Sequence, residues 1–501
     1  MPATLTTVLI ANRGEIALRV IRTLRARGIT SVAVYHAVDA GAPHVRAADR
    51  AIELPAKDTR AAYLDVDALV AAALEAKADA IHPGYGFLSE QARFATAWEQ
   101  AGLIFIGPRP ETLDALGDKK KARQAAREAK LPVAPGWEGD ATSPEALHQA
   151  KELGFPLLLK AVMGGGGKGM RVVRREDELK DALQGTAREA LASVGDAAVY
   201  MERLLEEVRH IEVQFVGDGE GGVAHLFERE CSLQRRHQKV IEEAPAARMN
   251  DELRRKLTDA AKAIARHVKY RGAGTAEFLV DAKENVYFLE VNARLQVEHP
   301  VTELVTGIDL VGLQIDIAEG RGLPKNLERD EPYGHAIEAR LYAEDDNFLP
   351  QSGRIAALEL PGGAGVRVDC GVREGDTIGM DFDPMIAKIS VWGTSRDEAV
   401  ARMQGALKET LVAGVVTNLP FLRILAADPH FAEGQITTSL VESTIAPAWR
   451  AGRKAAKPDP VLEELSQIVL AEAPQALAQT GTNGATSEDP GPWSTLAGFR
   501  L

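Results

Sequence analysis

The segment Asn292-Ala293-Arg294-Leu295-Gln296-Val297-Glu298 sets a cation, an amide and a carboxylate two residues apart, with apolar residues between them. Such alternation puts Arg294, Gln296 and Glu298 on one face of an extended chain. A guanidinium suits a planar oxyanion and a neighbouring carboxylate can take that anion's proton, so the group reads as a candidate for general acid–base chemistry. Just upstream, Glu277 lies in Gly274-Thr275-Ala276-Glu277-Phe278-Leu279-Val280, and Glu290 and Asn292 share a face of Val286-Tyr287-Phe288-Leu289-Glu290-Val291-Asn292. If 282–285 forms a four-residue hairpin loop, Asp281 pairs with Val286 and Glu277 falls opposite Glu290. Two carboxylates about 5 Å apart repel unless a hard cation lies between them. A Mg²⁺ or Mn²⁺ site that also grips phosphates resolves the conflict; a solvated edge position for Glu277 is the alternative.

Between Leu159 and Arg171 the chain reads Leu-Lys-Ala-Val-Met-Gly-Gly-Gly-Gly-Lys-Gly-Met-Arg, with Lys160 and Lys168 flanking Gly164, Gly165, Gly166 and Gly167. Ordering a glycine costs roughly 0.5–1 kcal/mol of chain entropy, so four together need a reason. Apolar runs lead in and out, which suits a hairpin tip better than a linker. The pattern is not a P-loop: Gly167-Lys168 is followed by Gly169, and position 162 is valine. Amides without a Cβ can still approach phosphate oxygens, with the two lysines adding charge. A phosphate-binding hairpin is the functional reading and a structural loop the other. Gln234-Arg235-Arg236-His237-Gln238-Lys239 is dense in cations and amides; taken alone, it reads as a solvated turn.

The whole chain limits what these residues can serve. Its 501 residues are 45% hydrophobic and 26% charged, enough for about three globular domains. Cys231 and Cys370 stand far apart, in no metal-ligand spacing, so disulfide scaffolds and zinc sites are not expected and a reducing compartment is. No run of about 18 apolar residues occurs and the N-terminus lacks signal-peptide character, so the expectation is a cytoplasmic protein. A net charge of −13 argues against general affinity for nucleic acid or membrane, while allowing a local basic pocket for phosphates.

The elements that must position these residues follow from periodicity. Apolar runs at 7–11, 31–35, 80–82 and 103–106, with a helix carrying Ile16, Val20, Ile21 and Leu24 on one face and ending at Gly28, predict a parallel, doubly wound domain over 1–118. The turn Asn12-Arg13-Gly14-Glu15 is not a dinucleotide fingerprint. A helix over 119–130 leads to a region 119–330, with a small α+β lid over about 133–205 and a helix over 251–268. A region 334–445 opens on the alternating His335-Ala336-Ile337-Glu338-Ala339-Arg340 and closes with a helix near 396–411. Residues 446–501 read as a linker or tail, partly disordered, with one amphipathic stretch around 461–469.

The ordered series ANRGEIALR (11–19), HPGYGFLSE (82–90), GDK (117–119), GGGGKGMRVV (164–173), QRRHQK (234–239), GAGTAEF (272–278), LEVNARLQVEHPVTE (289–303) and EARLYAED (338–345) closely resembles biotin carboxylase, a branch of the ATP-grasp superfamily, from about residue 7 to 445. The resemblance implies an α/β and α+β ATP-grasp fold with a mobile glycine lid. It implies a ligase that uses ATP, bicarbonate and two Mg²⁺ or Mn²⁺ ions to carboxylate biotin on a separate carrier, through carboxyphosphate. Lys119, Lys160 and His237 would meet nucleotide phosphates or ribose, and Glu202 the adenine. Gly165, Gly166, Gly167, Lys168, Met170, Leu205, His210, Gln234, Gln296 and Val297 join the implied cofactor-binding set. Glu277, Glu290 and Asn292 would hold metal, Arg294 bicarbonate, and Glu298 would take its proton. Lys239 would steady carboxyphosphate, Arg340 the biotin enolate, and Tyr85 and Gly86 would lie near the biotin ring.

Met163 and Arg203 depart from the usual residues without altering the charge pattern, and no biotinyl-lysine motif occurs. The end, Gly491–Leu501, resembles the start of a linker domain in longer carboxylase α chains, so a truncated α chain and a free-standing subunit are both expected possibilities. Implied partners are a biotin carboxyl carrier protein, a carboxyltransferase and a second copy of the chain; the acyl-CoA stays open. An ATP-grasp ligase joining a carboxylate to an amine, or a nucleotide-sensing pseudoenzyme, are the other readings. The run through Arg294 and Glu298 disfavours the first, and the intact set Lys119, Lys160, Glu290, Arg294 and Glu298 the second.

Overall fold

Thr7-Val8-Leu9-Ile10 is apolar and buried, and as strand β1 (Thr7–Ile10) it forms the centre of a sheet. With β2 (Thr30–Tyr35), β3 (Arg50–Glu53), β4 (Ala80–His82) and β5 (Ile104–Phe105) it makes a five-stranded parallel sheet in the order β3-β2-β1-β4-β5. The helix Gly14–Ala26 after β1 buries Ile16, Val20, Ile21 and Leu24 as its periodicity requires. The strand order reverses between β1 and β4, and the crevice at the carboxyl ends of such strands is where open α/β sheets place ligands. Arg13 to Glu15 and Pro83 to Phe87 lie there. Gly84 has φ +62°, and a Cβ on it would come within 2.9 Å of Asn12 Nδ2, which donates to the carbonyls of Pro83 and Tyr85.

The computed structural model describes residues 4–455 apart from 57, 141–142, 162–169, 195–197 and 237. Gly165, Gly166, Gly167, Lys168, His237 and the stretch 456–501 therefore lie outside the described residues, as do the side chains of Lys119, Lys160 and Met170. A second sheet of β6 (Gly136–Asp140), β7 (Leu157–Ala161), β8 (Met170–Val173) and β9 (Ala198–Arg203) runs in the order β6-β9-β7-β8. It has its own core, with Leu157, Leu159, Val173, Val199 and Met201 packed on Leu179 and Leu183 of the helix Glu176–Val194. β7 and β8, antiparallel with Lys160 opposite Met170, flank the glycine run.

Eight of the remaining strands build one long antiparallel sheet. In chain order come β10 (Arg209–Asp218), β11 (Val223–Arg235), β12 (Gln238–Ala244), β13 (Arg271–Val280), β14 (Val286–Asn292) and β15 (His335–Tyr342). Two short strands, β16 (Gly353–Arg354) and β17 (Ala357–Glu359), precede β18 (Val366–Cys370), β19 (Thr377–Ile378), β20 (Met385–Gly393) and β21 (Leu411–Ala413). The spatial order is β14-β13-β10-β11-β12-β15-β20-β18. β12 pairs with β15, Glu242 opposite Glu338, so the sheet continues across residues 330–334 and one hydrophobic core joins Val240 and Ile241 to Ile337, Ile389 and Leu422.

Three local expectations change. The hairpin after β13 is one residue longer than expected: Val280, not Asp281, pairs with Val286. Asp281 is drawn into the turn, its Oδ1 accepting from the amides of Lys283 and Asn285, each at 2.9 Å. A bulge between Glu277 and Phe278 takes up the extra residue, so Glu277 still faces Glu290. Next, β14 ends at Asn292, and Arg294 to Glu298 lie on an irregular segment that runs into the helix His299–Thr306. Finally, the helix Ala446–Ala455 lies within the stretch read as a tail, with Ala446 and Trp449 buried in the core. Among the described residues no helix is long and apolar enough to cross a membrane.

Candidate active site

Register across the long sheet lines up a row of charges. Glu290 on β14 faces Glu277 on β13, Glu277 faces Glu212 on β10, and Glu212 faces Arg229 on β11. Side chains directly opposite on neighbouring strands are about 5 Å apart, so three carboxylates in a row need cations close by. Arg229, fully buried, donates Nε to Glu212 and reaches Gln214 at 2.8 Å and Thr302 at 2.9 Å. Lys239 on β12 supplies the second cation. Its Nζ donates to Glu212 Oε2 at 2.6 Å, Glu277 Oε1 at 2.9 Å and Glu298 Oε1 at 2.6 Å.

Glu298 is 0% exposed, and its second oxygen accepts from Arg340 Nη2 at 2.8 Å. Arg340, on β15, also donates Nε to Glu242 Oε1 at 2.6 Å. These environments pull the carboxyl pKa values apart. Burial disfavours the charge on Glu298, but the Lys239 ammonium and the Arg340 guanidinium outweigh it and hold the carboxyl well below its usual range. Glu277 is held down in the same way, against burial, by Lys239 and His210, whose Nε2 lies 3.0 Å away. Burial pushes Glu242 up to about 8; Arg340 opposes, while Glu298 and Glu338 add to the rise. Burial also raises Glu212. Carboxyls pushed in opposite directions within one cluster are the mark of divided acid and base roles.

Arg294 is held from four sides. Nε donates to Glu90 Oε2 at 3.0 Å, Nη1 to Gln296 Oε1 at 3.0 Å and to the Leu295 carbonyl at 3.2 Å, and Nη2 to Asn292 Oδ1 at 2.9 Å. Glu90, at the end of the turn after β4, also accepts from the Ala293 amide at 2.9 Å, which ties that turn to the arginine segment. The side-chain amides of Asn292 and Gln296 donate to Glu277 Oε1 at 2.8 and 3.1 Å. Gln234 Nε2 is 2.6 Å from His210 Nδ1. In the crevice between β1 and β4, the Tyr85 hydroxyl donates to Glu15, and Gly86 is exposed beside it. Glu202 sits on the separate four-stranded sheet, accepting from Arg123, whose guanidinium stacks 4.0 Å over the Tyr200 ring; Leu205 follows it in the loop after β9.

The oxygen donors suit a hard cation. Glu277 and Glu290 reach one face of β13 and β14 from facing positions, and Glu290 is exposed. The Asn292 oxygen is turned to Arg294. The ligand atoms of His210, Glu212 and Glu277 also lie within 4.8 Å of one another.

Residues 4–113 match the biotin carboxylase N-terminal domain family, 118–326 the ATP-binding domain of the carbamoyl-phosphate synthase L chain, and 338–443 the biotin carboxylase C-terminal domain. Biotin carboxylase 2 of Bacillus subtilis is 48% identical over 439 residues, spanning 87% of this chain and 99% of that one. The chain belongs to the biotin carboxylase family. It is an ATP-dependent ligase of that family. The mitochondrial methylcrotonoyl-CoA carboxylase subunit alpha of Dictyostelium discoideum is 43% identical over 99% of this chain and 70% of its own. Among solved structures, the Campylobacter jejuni biotin carboxylase complex superposes with a TM-score of 0.84 at 42% identity, covering 88% of this chain and 99% of that one. The biotin carboxylase domain dimer of Hydrogenobacter thermophilus 2-oxoglutarate carboxylase, in complex with MgADP, ADP and bicarbonate, gives 0.83 at 41% identity, covering 87% and 97%.

In this biotin carboxylase the Gln234–Lys239 cluster is not the solvated turn that its composition suggests. Gln234 and Arg235 are buried, with Arg235 paired to Glu344, because β11 and β12 lie in the middle of the sheet; of the described residues there, Arg236 and Gln238 are exposed. Sequence reasoning missed Glu212, Arg229, Glu242, Glu90 and Glu15. A signal for Glu212 exists in Ile211-Glu212-Val213-Gln214-Phe215, where polar residues alternate on a strand buried on both faces. Nothing local marks Glu90 or Glu15, whose partners lie 204 and 70 residues away.

Proposed function

We propose that Arg294, Glu298, Lys239 and Arg340 divide the two steps of ATP- and bicarbonate-dependent biotin carboxylation between them. Bound nucleotide would supply the phosphoryl group, and Glu277 and Glu290, beside Asn292, would hold the divalent ions that screen its charge. Arg294, its guanidinium fixed by Glu90, Gln296 and Asn292, presents N–H donors to bicarbonate. Glu298 takes the bicarbonate proton on a carboxylate oxygen, so that the freed oxygen can attack the γ-phosphorus, displacing ADP and forming carboxyphosphate. An incoming anion competes for Lys239 and Arg340; each contact withdrawn from Glu298 raises its affinity for a proton. Lys239 then neutralises carboxyphosphate, which breaks down to CO₂ and phosphate; the phosphate takes the biotin N1′ proton, and Arg340 neutralises the enolate that attacks the CO₂. The observation that carries this reading is a fully buried, ionised carboxylate between two cations that substrate anions can claim.

Lys119, Lys160, Lys168, Gly165, Gly166, Gly167, Met170, Glu202, Leu205, His210, Gln234 and His237 are proposed for the nucleotide, and Tyr85, Gly86, Gln296 and Val297 for the neighbourhood of biotin and bicarbonate. The proposed units are 1–118, 119–330 and 334–445, with the helix Ala446–Ala455 packed on the last of them and 456–501 as a linker. A biotinylated carrier, a carboxyltransferase and a second copy of the chain are the proposed partners; the dimeric Hydrogenobacter relative supports the last. The test is phosphate release from MgATP with and without bicarbonate and free biotin. Bicarbonate-dependent, biotin-stimulated release is expected, and release indifferent to bicarbonate would overturn the proposal.

A further inference from the structure

Arg340 on β15 and Lys388 on β20 are register partners in an antiparallel pair, so two cations leave the same face of the sheet side by side. Like charges placed directly opposite destabilise a sheet. Lys388 is moreover 0% exposed, and a buried ammonium survives only if what it touches compensates it. Its Nζ donates to the Val297 carbonyl at 2.8 Å and lies 3.2 Å from Glu15 Oε1. That same Glu15 oxygen accepts the Tyr85 hydroxyl proton, while Glu15 Oε2 has no hydrogen-bond partner among the described residues. Glu338 and His299 face the ammonium from β15 and from the helix after Glu298. Glu338 accepts from Ser390 at 2.7 Å; burial, then Lys388, keeps the His299 imidazole pKa well below normal.

One ammonium therefore joins two separate pieces of the site: the peptide from which Glu298 springs, and the turn after β4 that carries Tyr85. We propose that Lys388 is a positioning residue for both halves of the reaction, fixing Glu298 through the Val297 carbonyl and Tyr85 through Glu15. This rests on the reading of Glu298 as the base and Tyr85 as a neighbour of biotin. It explains why a second buried cation is tolerated next to Arg340. Arg340 meets the carboxylates of Glu298 and Glu242, while Lys388 meets the backbone behind Glu298 and the carboxylate behind Tyr85.

The test compares Lys388→Met, Glu15→Gln and the two combined in the full chain. It reads bicarbonate-dependent ATP cleavage without biotin, the KM for free biotin, and the melting temperature. Lys388→Met should lower ATP cleavage roughly 10-fold or more, as a displacement of about 1 Å at the base would, and should raise the biotin KM. Glu15→Gln leaves the Val297 contact in place, so it should raise the biotin KM by a similar factor while costing ATP cleavage far less. The combined variant removes both members of the buried pair, so it should melt closer to the parent than Lys388→Met does, yet keep the full loss in ATP cleavage. A purely structural lysine would make both activities follow the melting temperature. Either of two results would overturn the proposal: both parameters staying within about 2-fold of the parent in Lys388→Met, less than a lost positioning contact should cost, or ATP cleavage recovering with stability in the combined variant. A parent without bicarbonate-dependent cleavage would instead strike at the proposed function on which this rests.

Discussion

Replacing Glu298 by Gln is the substitution that separates chemistry from binding. The carboxylate receives two charge-assisted hydrogen bonds, from Lys239 at 2.6 Å and Arg340 at 2.8 Å. An amide has one acceptor oxygen, so one of those cations would meet an N–H₂ group instead. A hydrogen bond to a charged group contributes about 1.5–3 kcal/mol, which bounds the loss of stability. Lys239 keeps Glu212 and Glu277, and Arg340 keeps the Glu242 carboxyl oxygen, so neither cation is left without an acceptor. Removing a negative charge from a site that must admit anions should leave nucleotide affinity intact or improve it. The chemical step fares differently, since loss of a general base costs ~10²- to 10⁴-fold, or about 3–5 kcal/mol of barrier. Nucleotide binding followed by the melting-temperature shift with MgATP, beside bicarbonate-dependent phosphate release, gives both quantities. Affinity and turnover falling together would refute the reasoning and make Glu298 a structural or metal residue.

Arg340→Ser should leave bicarbonate-dependent ATP cleavage in place and cut carboxybiotin formation roughly 10²-fold, because the enolate loses its charge partner; parallel loss of both would move Arg340 into the nucleotide half of the site. Glu242, raised to about 8 in the folded protein, holds its proton more tightly than the unfolded chain does. Its contribution to stability is thus complete below the ordinary glutamate range and lost as pH rises through about 8. Glu242→Gln cannot lose it, so the melting temperature of the variant should gain on the parent as pH rises from about 4.5 to about 8 and run parallel to it above that; parallel curves across the whole range would rule the shift out. EDTA should abolish ATP cleavage without changing the melting temperature of the nucleotide-free protein, because Lys239 and His210 already compensate Glu277; a fall without nucleotide would point to a structural metal.

The sequence made the elements legible where periodicity is strong and the partners are local. The helix Gly14–Ala26 and strands β1, β2 and β4 follow directly from apolar spacing. β3, Arg50-Ala51-Ile52-Glu53, carries almost no apolar signal and exists because it pairs with β2. The facing of Glu277 and Glu290 was reached through a turn one residue too short, and the bulge cancels the error; no rule about hairpin length contains that bulge. Repulsion between facing carboxylates calls for a cation without saying which. The cation beside Glu277 in this structure is Lys239, 38 residues away in sequence, and nothing near Glu277 announces it. Long-range pairs such as Arg294 with Glu90 are invisible for the same reason: a charge pattern shows what a residue can do, and only the packing shows with whom.

What unifies the cluster is sharing. Lys239 serves three carboxylates and Arg340 two, so no single contact commits either cation. In the ligand-free arrangement Glu298 is a poor base, since both cations stabilise its ionised form. On the role proposed for it, Glu298 would gain basicity only when an anion draws the cations away, and the anions concerned would be the substrates themselves. The arrangement therefore ties activation of the base to arrival of what it must deprotonate. The location follows from the same requirement. Glu298 meets Lys239 of β12 and Arg340 of β15, where these strands bring the two parts of the long sheet together, while Glu90 and Glu15 of the first domain reach its neighbours Arg294 and Lys388. Cations drawn from several elements can be pulled off one carboxylate by side-chain movement, without unfolding any of those elements.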